Sequence, residues 1–192
     1  MNRLFFVIAL LLSACSSPAP APRPPLEGAR IGGAFSLIDQ NGAVVTDRSY
    51  RGQYRIMYFG YAYCPDVCPT DVANLARGLK AFAKAEPARA KKVKLIFVSV
   101  DPKRDTPAVL KDFTAAFHPD MVGLTGSEQA IDDVTKAYGV SVSIAPDQPK
   151  DGYLVDHSRA AYLMSPENKP IALIPQDGTA EAIASEIGKW VP

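Results

Sequence analysis

Two segments of this chain, Arg55 to Gly60 and Val93 to Val100, are apolar at nearly every position instead of at every second one. A strand of that pattern is covered on both faces, and the usual cover is helix. Helical periodicity follows the first of them: Leu75, Leu79 and Phe82 share one face of a stretch from about Cys68 to Ala85. Thr106-Pro107 then supplies a cap and a first-turn proline for a helix running to about Phe117. Met121 to Leu124 reads as a short strand, followed by a helix capped by Ser127 and stopped near Gly139. Strands at Val140 to Ile144, Ala160 to Met164 and Ile171 to Ile174, and a helix from Thr179 to about Trp190, complete the alternation. At the front, Phe35 to Asp39 and Ala43 to Thr46 flank Asn41-Gly42, a hairpin signal. The few residues around Pro166 to Lys169 can only join antiparallel strands. The expectation is therefore one α/β domain over residues 30–192: a central mixed sheet, helices on both faces and an N-terminal β-hairpin.

The first 29 residues do not fit that plan. Residues 1–14 hold one positive charge, Arg3, then an apolar run from Leu4 to Leu12 and two small residues, the layout of a secretory leader. Leu12-Ser13-Ala14-Cys15 has the pattern of a bacterial lipobox, in which the cysteine is lipidated and becomes the first residue. Residues 15–29 are then a tether rich in proline and alanine, too poor in apolar side chains to pack. The compartment implied is extracytoplasmic and oxidising, with the protein lipid-anchored in the bacterial cell envelope and facing the periplasm.

The 21 basic and 20 acidic side chains nearly cancel, which leaves no electrostatic footprint for nucleic acid. Chemistry concentrates in Tyr63-Cys64-Pro65-Asp66-Val67-Cys68-Pro69, where the first buried strand gives way to a helix. In open α/β folds ligands bind at that edge of the sheet. Cysteines four apart lie about one helical turn from each other, close enough for a metal chelate or a disulfide. The helix N-terminus favours thiolate, the state that ligates metal or attacks a disulfide. A third donor has to come from elsewhere, and the chain has two histidines. His118, at a helix C-terminus, reads as a structural cap of carbonyls. His157, in a polar break before the strand at Ala160, can reach the sheet edge; spacing alone leaves ligand and structural roles equally open. Asp156 beside it could orient it. Two thiolates and an imidazole suit copper, Cu(I) or Cu(II), by softness, and zinc can use the same set with an open position.

At these residues the sequence resembles the Sco (SenC) family of copper-binding, thioredoxin-like proteins. The resemblance runs through Gly32-Gly33-Ala34-Phe35, Tyr58-Phe59-Gly60-Tyr61-Ala62-Tyr63-Cys64-Pro65-Asp66-Val67-Cys68-Pro69, Asp101-Pro102-Lys103-Arg104-Asp105-Thr106-Pro107, Leu124-Thr125-Gly126 and Tyr153 to His157. It implies a thioredoxin-like fold with Cys64, Cys68 and His157 as copper ligands, and a Cys64–Cys68 disulfide when oxidised. It also implies delivery of copper to the CuA centre of cytochrome c oxidase, or prior reduction of that centre's cysteines by the Cys64/Cys68 couple. The implied partners are the oxidase subunit carrying CuA, other periplasmic copper carriers and thiol reductants. Two positions depart from the family pattern, Ala62 for a threonine and Ser165-Pro166-Glu167-Asn168 for an Asp-Pro-Asp-Gly-like turn. Asp101, Arg104 and Asp105 remain candidates for supporting the site or touching a partner.

Overall fold

The computed structural model describes residues 22–149 and 152–192. The leader over residues 1–14, Cys15 and the tether as far as residue 21 lie outside them. In chain order the elements are β1 (Ser36–Asp39), β2 (Val44–Thr46), β3 (Tyr54–Gly60), α1 (Val67–Ala85), α2 (Pro87–Ala90), β4 (Val93–Ser99) and α3 (Pro107–Phe117). They continue with β5 (Val122–Thr125), α4 (Glu128–Ala137), β6 (Val142–Ile144), β7 (Val155–His157), β8 (Ala161–Met164), β9 (Pro170–Ile174) and α5 (Ala180–Trp190).

Seven strands form one sheet in the order β2-β1-β5-β4-β3-β8-β9. β3, β4 and β5 are parallel neighbours, while β1, β8 and β9 join antiparallel, so the sheet is mixed as the short hairpins require. The two-sided apolar runs are its centre: β3 and β4 bury all but one residue each. The steps from β3 to β4 and from β4 to β5 go the same way across the sheet. Right-handed crossovers then put α1 and α3 on one face. The contacts agree. Tyr58 on β3 reaches Asp71 on α1, and its cross-strand partner Phe97 packs on Phe113 of α3, ring centroids 4.8 Å apart. α5 lies against α1 at Gly78, where a Cβ would meet Ile183 at 2.2 Å. The next residue of β3, Phe59, points the other way, to Tyr138 just after α4 at 5.2 Å.

Thr106, Ser127 and Thr179 cap α3, α4 and α5, each accepting from the backbone N–H three residues on, and Gly139 stops α4 at a φ of 65°. In the β8–β9 turn Asn168 holds a φ of 64°, a conformation that asparagine tolerates where glycine is commoner. Its side chain donates to the Gly33 carbonyl at 3.1 Å, a bond glycine could not make.

Two readings of the sequence need correction. The strand expected at Val140 to Ile144 is no part of the main sheet; β6 pairs antiparallel with β7 in a separate ribbon. The segment around His157 is not a polar break but the second strand of that ribbon, with His157 opposite Val142. β7 is three residues long and buries only Val155, so it carries no periodic signal.

Candidate metal centre

β3 delivers the chain to the sheet edge at Gly60, and a tight turn, Cys64 N–H to the Tyr61 carbonyl at 3.2 Å, leads to α1. No side chain caps that helix. The Cys68 N–H donates instead to Cys64 Sγ at 3.4 Å, and the Asp66 amide also faces that sulfur. Cys64 thus takes the place of an N-cap, gathering amides that have no intrahelical partner. Pro69 sits in the first turn, where its missing N–H costs nothing.

Both thiols are free and buried, Cys68 completely. Burial pushes the Cys64 pKa up, but the Asp66 and Cys68 amides, the Cys68 thiol and the Tyr61 hydroxyl outweigh it, so Cys64 ends below an ordinary thiol. Cys68 is pushed up to about 12, first by burial and then by its neighbour Cys64. Gly60 makes the floor: a Cβ there would lie 3.2 Å from Cys68 Sγ.

His157 completes the cluster from the ribbon. Its Nε2 lies 3.2 Å from Cys68 Sγ, and its Nδ1 lies 3.1 Å from the Ser158 carbonyl oxygen. A carbonyl only accepts, so Nδ1 carries the hydrogen. Burial lowers the imidazole pKa, against the Ser158 bond and Asp71, so the ring is neutral at pH 7 and Nε2 presents a lone pair to Cys68. A backbone carbonyl, not Asp156, orients the ring. The Tyr61 ring meets it edge-on at 6.0 Å.

Two polar groups that sequence reading missed brace the cluster. Asp71, wholly buried on α1 one turn after Cys68, accepts from Tyr58 Oη at 2.9 Å and from Arg159 Nε and Nη2 at 3.0 and 2.7 Å. Its signal was available: an aspartate on the stripe of Val72, Leu75 and Leu79 implies a buried partner. Tyr153 is the second, its hydroxyl donating to Asp101 Oδ1 at 2.6 Å. The β4–α3 candidates do adjoin the site. Arg104 pairs with Asp101, and buried Asp105 accepts from Ser99 Oγ at 2.6 Å and from the Ala62 N–H at 2.9 Å. His118 lies elsewhere, at the C-cap of α3, where its backbone N–H, not its ring, donates to the Thr114 carbonyl at 3.1 Å, while its Nδ1 accepts the Asp120 N–H.

Among the described residues no three His, Cys, Asp or Glu side chains are spaced as a finished metal cage. What the geometry offers is a dithiol with an imidazole lone pair against one of its sulfurs, a soft donor set.

Over residues 23–192 the sequence matches the SCO1/SenC family. The chain belongs to that family. Among Sco relatives, SenC of Rhodobacter capsulatus is 43% identical over 161 residues, 83% of this chain and 70% of that protein. Protein sco1 of Schizosaccharomyces pombe is 39% identical over 163 residues, 84% of this chain, but the match spans only 61% of that protein's length. The structure of Bradyrhizobium japonicum ScoI with copper bound superposes with a TM-score of 0.75 at 39% identity, covering 83% of this chain and 99% of the other. BsSco, in which a disulfide switch was identified and which is described as a member of the Sco family of cytochrome c oxidase assembly proteins, gives a TM-score of 0.63 at 26% identity over 82% of this chain and 91% of its own. The thioredoxin-like fold expected from the resemblance is the one these Sco structures share with this chain.

Proposed function

We propose that this Sco protein binds one copper ion as cargo through Cys64 Sγ, Cys68 Sγ and His157 Nε2, and hands it on during assembly of the CuA centre of cytochrome c oxidase. The observation that carries the reading is the His157 tautomer. With Nδ1–H spent on the Ser158 carbonyl, the Nε2 lone pair is aimed at a buried thiol whose partner thiol already lies below its ordinary pKa. Copper relatives of the same fold support the choice of metal. The chain's own groups hold and orient: the Cys68 amide and the α1 head favour charge on Cys64, and the Asp71–Arg159 pair fixes the segment after His157. The placement that goes with this reading is a periplasm-facing protein held by a lipid on Cys15, with a domain over 30–192; the tether expected over 15–29 is shorter than that, because Leu26 packs on the core and its N–H donates to the Ile171 carbonyl at 3.0 Å. No helix among the described residues is long and apolar enough to cross a membrane.

The unequal thiols favour a second reading, thiol–disulfide exchange. Cys64, the more acidic, attacks a client disulfide and its sulfur joins one client sulfur while the other leaves as thiolate. Cys68, once deprotonated, then displaces the client, leaving a Cys64–Cys68 disulfide and a client dithiol that has gained two electrons and two protons. Both readings use the same sulfurs, so oxidation of the pair removes both copper donors.

The test is copper titration of the reduced protein, with the metal retained counted after a competing chelator. One copper per chain is expected, lost in Cys64→Ala, Cys68→Ala and His157→Ala and absent from the protein oxidised to the Cys64–Cys68 disulfide. Copper retained equally by His157→Ala, or by the disulfide form, would refute the site.

A further inference from the structure

The ribbon that carries His157 has little to hold it in place. β6 is exposed along its whole length, and β7 buries only Val155. Two strands of three residues do not fix a position by their own hydrogen bonds. Downstream of His157 the attachment is plain, Arg159 on Asp71 of α1. Upstream the chain is tied at Tyr153, four residues before His157. The Tyr153 hydroxyl donates to Asp101 Oδ1, and the Arg104 guanidinium carbon lies 3.6 Å from the centre of the Tyr153 ring. The same guanidinium lies 5.5 Å from the Tyr61 ring and 5.4 Å from the Tyr63 ring, the residues three and one before Cys64. Its Nε is spent on Asp101 Oδ2, while Nη2 is buried with no hydrogen-bond partner. The guanidinium is thus held by one carboxylate and three aromatic rings, and a flat cation suits that surrounding as a lysine ammonium does not. The start of α3 does not need it, since Thr106 and Pro107 supply the cap and the first turn.

We infer that Arg104 is a positioning residue for the metal centre. Pinned by Asp101, it joins the rings before Cys64 to the ring before His157 and so sets the imidazole against the two sulfurs. The metal it serves is that of the copper reading above, but the joint exists in the protein itself and can be tested without metal.

In metal-free, reduced full-length protein, Arg104→Met is expected to speed amide hydrogen exchange in β6, β7 and Ser158 at least tenfold, with β8 and β9 unchanged. Arg104→Lys, which keeps the charge but loses the flat stack, is expected to do the same. With copper, Arg104→Met is expected to weaken chelator-resistant binding at least tenfold. A residue that merely stabilised the fold would speed exchange in β8 and β9 as well. If Arg104→Met does not fold, Tyr153→Phe, which removes only the hydroxyl bond to Asp101, decides by the same exchange. Unchanged ribbon exchange, or exchange raised equally in β8 and β9, overturns the inference. Failure of the unaltered protein to bind copper sinks the copper reading alone, because exchange in the metal-free ribbon still decides the role of Arg104.

Discussion

Gly60 closes the floor of the thiol pair, and substituting it tests whether the site depends on that missing side chain. In Gly60→Ala the new Cβ would stand 3.0 Å from Tyr58 Cε1, 3.1 Å from Phe97 Cε2 and 3.2 Å from Cys68 Sγ. The φ of Gly60 is outside the left-handed region, so alanine meets no backbone penalty and the effect is steric. Ordinary carbon contacts begin at about 3.5 Å, so all three neighbours must retreat by a few tenths of an ångström. Two are braced: Tyr58 by its 2.9 Å bond to Asp71, Phe97 by the Phe113 ring. The sulfur is the atom left to move. Overpacking of this kind costs about 1–3 kcal/mol, and loss of glycine's freedom in the unfolded chain returns about 0.5–1 kcal/mol. A net loss of about 1–2 kcal/mol lowers the melting temperature of a domain this size by roughly 2–8 °C. Thermal unfolding of the reduced, metal-free protein reads that shift, and chelator competition reads the displaced thiol. Gly78→Ala is the control. Its Cβ would overlap Ile183 at 2.2 Å, far from the cysteines, so it is expected to destabilise more while each folded molecule keeps its copper. A Gly60→Ala protein that melts at or above the native temperature, or that loses no more copper than Gly78→Ala, would refute the reasoning.

Asp105 gives a pH test. Burial, against hydrogen bonds from Ser99 and Ala62, pushes its pKa from 3.8 to about 6, so between those values the folded chain holds a proton that the unfolded chain has released. Stability contributed by this group therefore falls as pH rises through about 4–6, by on the order of 3 kcal/mol. Urea unfolding against pH is expected to show that fall in the native protein and not in Asp105→Asn; parallel profiles would contradict it. Arg159→Met should leave Asp71 buried with only the Tyr58 hydroxyl and cost about 2–3 kcal/mol in urea unfolding, with Arg159→Met/Asp71→Asn losing less than the sum of the two single changes. Additive losses would show that the pair is not a unit.

The elements that were legible in advance share one property: their signal is local. Thr106-Pro107, Ser127 and Thr179 each announce a helix start within four residues, and the structure begins helices there. The cysteine pair was legible for the same reason, since a dithiol one turn apart at a strand end needs no tertiary knowledge. The histidine was harder. Its chemistry depends on the direction of the Ser158 carbonyl, a backbone property that no residue type spells out. Arg104 was visible as a candidate, but its surroundings were not, because Tyr61, Tyr63 and Tyr153 come from segments some 90 residues apart in the chain and meet only when the ribbon folds back. The ribbon itself is three residues against three and too exposed to leave a pattern.

The pairing of Cys68 with His157 also explains how one buried thiol can be both a poor thiolate and a good ligand. With Nδ1–H on the Ser158 carbonyl, Nε2 faces Cys68 Sγ as an acceptor at 3.2 Å, and burial without a countercharge holds the Cys68 proton on its sulfur. A soft cation removes the penalty that holds the proton, because it supplies the positive charge that burial denies to the thiolate. Cys64 does not need that help, since backbone amides already stabilise its charge. On the proposed readings the two sulfurs play different parts: Cys64, the more acidic, meets the incoming metal or disulfide first, and Cys68 gives up its proton second. That division of labour is set by one helix N-terminus and one carbonyl, which is why the same two residues suit both the copper site and the redox couple proposed above.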